Sequence, residues 1–423
     1  MSATIPGPNR LTTLRRLLPT PFRRFPSFLA EMTAIYGNVL AFDLPWRSYV
    51  FLNEPAAIKD VLVTQQHAFS KSLGTRVLRI LLGEGLLTSE DPLHRRMRRI
   101  VQPAFHRERI AEYVAAMQRD ALEFAQSLEP GTTIDAHAAM TELTLRIATE
   151  TLFGSDESDS AGNVADAMRL MMGEFPYMLT PLGSLRQRLP LPSTRRLDRA
   201  HAALDEIIYG IIARRRRGDV TRADALSMLL AIPDDRQIRD EIMTLFLAGH
   251  ETTANALTWA LYLLAQDAEA DERAGTAARG GDREYLSRVV KEVLRLYPPA
   301  WILGRETLAD VTLYDGSFIP AKTTVFMAPL MLHRRAEYFP DPDTFDPDRW
   351  TRGEPPPYAY LPFGAGSRRC IGEEFALAEV AIVLGTLLRH FRFTLEPGQR
   401  IRAVPLVTLR PAGPVVLRAQ TRL

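Results

Sequence analysis

Cys370 is the only cysteine in a chain of 423 residues, so it makes no internal disulfide. It lies in FGAGSRRCIG, residues 363–372, next to a run over 371–389 with helical apolar spacing, in which Phe375, Ala378, Ile382 and Leu388 share a face. A thiol at a helix start, beside Arg368 and Arg369, is favoured as thiolate by free N–H groups and by the cations. Such a thiolate is a nucleophile or a metal ligand. The ordinary fate of a free cysteine is burial as a small apolar residue. That suits neither the two arginines nor Gly364, Gly366 and Gly372, which let a backbone approach something closely.

A second set of chemical groups lies in AGHETT, residues 248–253. Glu251 and Thr252 put a carboxylate beside a hydroxyl, an acid–alcohol pair able to relay protons when it faces a cavity. In a helix the same hydroxyl can bond back to the carbonyl of Ala248, four residues earlier. His94 and Arg98 stand four apart on one helical face and offer two donors to an anion, although such a pair is as readily a solvated face. Glu292 and Arg295 are spaced to touch, a pairing worth only about 0.3–0.5 kcal/mol on an exposed helix.

The elements that must position these groups are mostly helical. After a break at 233–235, the residues Ile238, Ile242, Leu245, Gly249, Thr252, Ala256, Trp259 and Leu263 recur at intervals of four and three. They write one buried stripe on a helix of roughly thirty residues. Gly249 costs that helix about 1 kcal/mol against alanine, so the helix is weak where AGHETT falls. The spacing predicts further helices over 28–36 and 55–65, one opened by Pro92, most of 111–231, and 284–296, where Tyr297, Pro298 and Pro299 stop it. Short β runs are expected at 38–42 and 49–51, a small antiparallel sheet over 311–328 turning at Asp315 and Gly316, and a β-like run at 404–416. Residues 69–88 lack a clean period and read as a long loop with short helical pieces, and 176–192 as a proline-rich interruption.

Charged residues make up 24 % of the chain and hydrophobic ones 46 %, an ordinary globular balance able to bury a large core. No linker divides it, so a single domain over 1–423 is expected. A net charge of +2 gives no global attraction to nucleic acid. Arginines cluster at 95–99 and at 214–217, the second group reading as the end of a solvated helix stopped by Gly218. In the first thirty residues Pro6, Pro8, Pro19, Pro21 and Pro26 argue against an amphipathic transit helix and predict an irregular arm over 1–27. No apolar run reaches the ~20 residues of a membrane span. The expectation is a soluble, cytoplasmic protein.

Phe363, Gly366, Arg368, Cys370 and Gly372 together spell FxxGxRxCxG. It is preceded in order by HxxxR at 94–98, AGxETT at 248–253, ExxR at 292–295 and FDPDRW at 345–350. In these motifs, spread over nearly the whole chain, the sequence resembles the cytochrome P450 family. The resemblance implies a mainly α-helical fold with small β-sheets that holds haem b between the long helix and the Cys370 loop. It implies Cys370 as the iron ligand, and His94, Arg98, Arg305 and Arg368 as contacts of the haem propionates. Phe363, Gly366, Gly372, Ala248 and Gly249 would border the haem. Thr252 would steady dioxygen while Glu251 feeds protons. His250 fills a variable place in the pattern and is not read as a ligand. Glu292, Arg295 and Arg349 would form a structural ion network.

The same resemblance places a substrate pocket along several segments. Leu73, Val77, Leu78, Leu86 and Leu87 belong to the 69–88 loop, and Phe175, Tyr177, Met178 and Leu179 to a mobile lid. Leu245 and Ala248 come from the long helix, Trp301, Ile302 and Leu303 from the segment before Arg305, and Leu406 and Val407 from the C-terminal run. Each is singly as consistent with core packing. The set is largely apolar, which suits a fatty acid, terpenoid, steroid or polyketide.

The implied activity is monooxygenation: dioxygen and two electrons deliver one oxygen atom into a C–H bond or an olefin, with the thiolate pushing electron density onto iron. The chain has no further cysteines for an iron–sulfur cluster and no flavin motif. NAD(P)H would therefore act only indirectly, through a ferredoxin or flavodoxin and its reductase, docking on Arg95, Arg99 and Arg369 of a monomer. Two other classes stay open. A haem-thiolate peroxygenase or isomerase would usually alter the acid–alcohol pair, and a non-catalytic haem- or ligand-binding protein would form no product.

Overall fold

The computed structural model describes residues 4–17, 21–45, 47–154, 158–179, 183, 189, 191–218 and 224–422. The chain forms two compact units, each built from separate stretches: Met1–Arg76, Leu294–Cys370 and Val404–Leu409 in one, Val77–Val293, Ile371–Ala403 and Arg410–Leu423 in the other.

The first unit is organised on a five-stranded sheet whose strands lie in the order Val39–Leu44, Arg47–Leu52, Thr324–Met327, Leu303–Thr307, Phe69–Lys71. Alternation along the first strand explains its two faces. Leu40 and Phe42 join Phe28, Leu29 and Met32 in one cluster, while Val39 and Ala41 pack on a second with Val61, Leu62 and Val325. The predicted 311–328 sheet is divided: Val311–Thr312 pairs with Phe318–Ile319, but Thr324–Met327 enters the large sheet, parallel to Arg47–Leu52 and antiparallel to Leu303–Thr307.

The N-terminal arm is helical where an irregular segment was expected, over Arg10–Leu17 and Pro21–Tyr36. Pro21 opens the second helix, where its missing N–H costs nothing. Pro26 inside it carries a penalty of about 3 kcal/mol. Phe28, Leu29 and Met32 are almost fully buried, and each such burial contributes roughly 1.5–3 kcal/mol. The apolar stripe therefore outweighs the proline.

The second unit is mostly helical, with one sheet in which Val416–Thr421 lies between Thr133–Asp135 and Phe391–Leu395. The long helix is present over 235–264, but as three consecutive pieces: α-helix Asp235–Phe246, a π-helical turn Leu247–Glu251, and α-helix Thr252–Leu264. Past its exposed first turn it is buried almost all round rather than along one stripe until the widened turn, where Ala248 is exposed and Gly249, Glu251 and Thr252 are half-buried. The helix after the cysteine loop, Glu373–His390, buries Phe375 and Leu388 of the predicted face together with Glu379, Val380, Val383, Leu384 and Leu387, while Ala378 and Ile382 are only partly covered. Its buried face thus keeps the two ends of the predicted one, shifts between them, and includes an acid.

Two predicted loops contain regular structure. Residues 69–88 hold the strand Phe69–Lys71 and the helix Leu73–Leu82, drawn into order by the burial of Leu78, Leu81 and Leu82. The helix Ser158–Met178 runs through Pro176, so Phe175, Tyr177 and Met178 form its last turn, with Leu179 just beyond. Of the proposed lid, 180–182, 184–188 and 190 lie outside the described residues.

Candidate functional site

In the first unit, Cys370 is exposed at the end of a loop that is held from within and from below. Its backbone N–H donates to Phe363 O at 2.9 Å, closing the loop on itself. Gly364 and Gly366 have φ of +69° and +71°, a region that favours glycine. A Cβ on Gly366 would stand 1.8 Å from Leu62 O, so the close backbone approach read from the sequence is made to the protein's own chain. Leu62 belongs to a second π-helical turn, Asp60–Thr64, and Gln66 follows it with Oε1 accepting from Ser367 N at 3.0 Å. Neither Leu62 nor Gln66 carries a motif that would reveal this role.

Above the loop sits the segment 333–344. Arg295, fully buried, donates to His333 O at 2.9 Å, Pro342 O at 2.6 Å and Thr344 O at 3.0 Å. Arg349 donates to Asp341 O at 3.0 Å and to Pro340 O. The two arginines thus clamp one loop by its carbonyls, and the buried Glu292 lies one turn before Arg295 on its helix. His333 carries the clamp towards the cysteine loop, its Nε2 accepting from Leu361 N at 2.8 Å. Burial, reinforced by the Arg295 charge, pushes His333 down to about 3 and keeps it a neutral acceptor.

Arg305 lies half-buried on Leu303–Thr307, with one N–H donating to Gly304 O at 2.9 Å. Leu303, two residues away, reaches to 3.9 Å from where a Cβ on Gly364 would stand, which brings this strand and the cysteine loop together. Arg368 is half-buried and Arg369 exposed. Trp301 does not open onto free space: it is buried and its Nε1 donates to Leu406 O at 2.9 Å, with Leu409 N bonded to Pro299 O. Ile302, Leu406 and Val407 are half-buried.

In the second unit, the π-helical turn releases carbonyls from the regular ladder, and side chains take them up. Thr252 Oγ1 donates to Ala248 O at 2.7 Å, Thr253 Oγ1 to Gly249 O at 3.0 Å, and Thr144 Oγ1, from the helix Ala136–Phe153, to His250 O at 3.1 Å. His250 is itself buried with Nδ1 against Phe246 O, and burial lowers its proton affinity. AGHETT therefore supplies both a widened turn and most of the hydroxyls that satisfy it. Phe105 lies 3.5 Å from the Cβ position of Gly372, an ordinary contact, so this glycine is not forced by packing.

The turn before it is tied to 83–86. Asp240 Oδ2 accepts from Glu84 N at 2.7 Å, and Glu241 Oε2 from Leu86 N at 2.9 Å. Gly83 and Gly85 bring their backbones within 2.1–2.4 Å of Asp240 and Thr244, measured from the Cβ each lacks. Leu86 is thereby held at Glu241, one helical turn before Leu245. Leu78 is buried and Val77 half-buried, as is Leu73 in the first unit, while Leu87 and Tyr177 are exposed at 39 % and 53 %. On Leu93–Val101, His94 is buried with Nδ1 3.4 Å from Asp91 Oδ1, and Arg98 is half-buried on the same face.

The Cytochrome P450 family model matches residues 5–414. The chain belongs to the cytochrome P450 family. It is 36 % identical over 426 residues to cyclooctatin synthase of Streptomyces melanosporofaciens, covering 93 % of this chain and 91 % of the relative. It is 36 % identical over 404 residues to cyclooctat-9-en-7-ol 5-monooxygenase of the same organism, covering 89 % and 87 %. Pentalenene oxygenase of Streptomyces avermitilis is 34 % identical over 426 residues, covering 95 % and 94 %. This P450 is a monooxygenase of hydrophobic substrates that uses haem b and dioxygen and draws electrons from redox partners. Among the described residues no helix is long and apolar enough to cross a membrane.

The side chains present fit that cofactor. The one thiol is exposed, in a loop with two arginines that is fixed by its own backbone and by Leu62 and Gln66. The long helix leaves Ala248, the smallest side chain of its widened turn other than glycine, exposed after the continuously buried stretch 238–247.

Proposed function

We propose that this P450 hydroxylates or epoxidises a cyclic, terpenoid-type hydrocarbon or its mono-alcohol, with Cys370 as the iron ligand. The observation that carries the assignment is the exposed, lone thiol in a loop built to hold it rigid. Haem b, when bound, supplies dioxygen activation, to which the thiolate contributes electron density. His94, Arg98, Arg305 and Arg368 serve as donors for its propionates, and Phe363, Gly366, Gly372, Ala248 and Gly249 border it. Glu292, Arg295 and Arg349 stabilise the fold that presents the thiol.

Thr252 Oγ1 is the terminal proton donor. To act, it exchanges its bond to Ala248 O for one to the reacting oxygen, gives up its proton, and takes another from the Glu251 carboxyl. The widened turn makes this exchange inexpensive, because its carbonyls already depend on side chains rather than on the helical ladder.

The substrate class rests on the relatives, two of whose names denote a cyclic olefin and a cyclic alkenol, and on the apolar Leu78, Leu86 and Leu245. A ferredoxin or flavodoxin supplies electrons, with the exposed Arg95 and Arg99, and separately Arg369, as its basic contacts. Resemblance to bacterial members supports action as a cytoplasmic monomer. Screening compounds for the spin-state change of the Soret band tests the substrate class. Cyclic terpenes and their mono-alcohols are expected to shift it and to yield products heavier by one oxygen; a response confined to linear fatty acids would overturn the assignment.

A further inference from the structure

The helix Ala136–Phe153 meets the widened turn along one stripe. Thr144 Oγ1 donates to His250 O at 3.1 Å, and Ala148 Cβ and Leu152 Cδ1 lie 3.6 and 3.9 Å from where a Cβ on Gly249 would stand. Followed back by whole helical turns, that stripe starts at His137. There the helix is leaving the interior: Ala136 is buried, His137 half-buried and Ala138 exposed. The two helices run in opposite directions, so the stripe's His137 end meets Asn255, whose side chain reaches the imidazole. Asn255 lies one turn beyond Glu251 on the same face.

His137 is not spent on structure. Its backbone N–H is taken by Asp135 Oδ1 at 3.1 Å, but Nε2 is enclosed without a well-formed hydrogen bond. The charged groups around it come from three elements. Burial is the largest influence and lowers its proton affinity, and Arg410 lowers it further, while Asp135, Glu251 and the Asn255 side chain raise it. A neutral imidazole at the rim of the unit that senses the Glu251 charge is placed to pick up a proton and lose it again.

We propose that His137 is the inlet through which solvent protons reach Glu251. It acts through Glu251, and so rests on the reading of Glu251 as the donor that recharges Thr252. Each passage moves one proton and no electrons: the N–H bond of the imidazolium breaks as an O–H bond forms on the Glu251 carboxylate, and solvent then reprotonates the neutral ring.

The test has two arms on the haem-loaded enzyme. With eight histidines in the chain, nitrogen-15 NMR of the reduced, carbon monoxide-bound protein resolves their titrations, and His137→Gln assigns the signal. The His137 midpoint is expected below the ordinary 6.5, to fall further in Glu251→Gln and to rise in Arg410→Gln. A midpoint indifferent to Glu251→Gln overturns the proposal. In the second arm, oxygen consumption is followed in light and heavy water with a substrate found by the spin-state screen. His137→Gln is expected to slow turnover roughly three-fold or more and to enlarge the solvent isotope effect, with the carbon monoxide spectrum and melting temperature unchanged. If Glu251→Gln gives these effects and His137→Gln does not, the inlet alone is wrong; if neither does, the role of Glu251 falls with it.

Discussion

Two π-helical turns among the described residues are put to different uses. At Asp60–Thr64 the turn closes with Gln65 N on Asp60 O at 2.8 Å, and Leu62 O is left for the backbone of Gly366 to lie against. At Leu247–Glu251 the freed carbonyls are taken by the hydroxyls of Thr252, Thr253 and Thr144. The first is a buttress, a fixed surface on which the cysteine loop is seated. The second is adjustable, because a hydroxyl changes partner by rotating one bond, whereas a packed glycine backbone does not. Rigidity is found beside the proposed ligand, and adaptability beside the proposed proton donor.

Breaking the buttress has the largest expected effect. Gly366→Ala puts a Cβ 1.8 Å from Leu62 O at a φ of +71°, and the dihedral alone costs about 1–2 kcal/mol. Because neither backbone yields cheaply, most of the haem-thiolate spectrum is expected to be lost. Retention of a full spectrum with unchanged melting would show that the loop is not seated as described.

The adjustable turn responds differently. Thr252→Ala leaves a good helix former in place, so folding and haem content are expected to hold while product per electron falls roughly ten-fold or more and peroxide rises. Thr144→Val removes a hydroxyl that lies 2.8 Å from Met140 O of its own helix as well as 3.1 Å from His250 O, and is expected to lower stability by about 1 kcal/mol with coupling nearly unchanged. Equal uncoupling in both variants would mean that the turn's shape, rather than the Thr252 proton, is what matters.

The smallest effect concerns Glu379, which is fully buried with neither carboxylate oxygen in a well-formed hydrogen bond and with the Thr253 side chain as its one polar influence. Burial raises its proton affinity well above the ordinary 4.5. Between that value and its folded one the unfolded chain has released a proton that the folded chain keeps, so stability falls as pH rises through the window. Glu379→Gln removes this dependence, and its melting temperature relative to wild type is expected to climb from about pH 4.5 towards neutrality. A constant offset across that range would place a charged carboxylate in the core.

Much of the second turn is legible in the sequence. Gly249 and two threonines in mid-helix announce a weak ladder and the hydroxyls to mend it, and the β runs read at 38–42 and 49–51 announce two of the strands. The buttress is not legible, because DVLVT holds no glycine or hydroxyl cluster that marks a widened turn, and its partner lies some three hundred residues away. The buried face of Glu373–His390 is misread for a related reason. An acid is assigned to solvent from sequence, and only the packing of Phe375, Val380 and Val383 on either side shows that Glu379 goes inward. The proline-interrupted N-terminal helix is a third case, in which tertiary burial of Phe28, Leu29 and Met32 overrides local propensity.

The rigid region has its use only with Cys370 as the ligand it presents. The spectrum of the reduced, carbon monoxide-bound protein reads this directly. The wild type is expected to show the red-shifted Soret band of a thiolate-ligated haem, and Cys370→Ser to lose it. A thiolate-type band that persists in Cys370→Ser, or that the wild type never shows, would contradict the account.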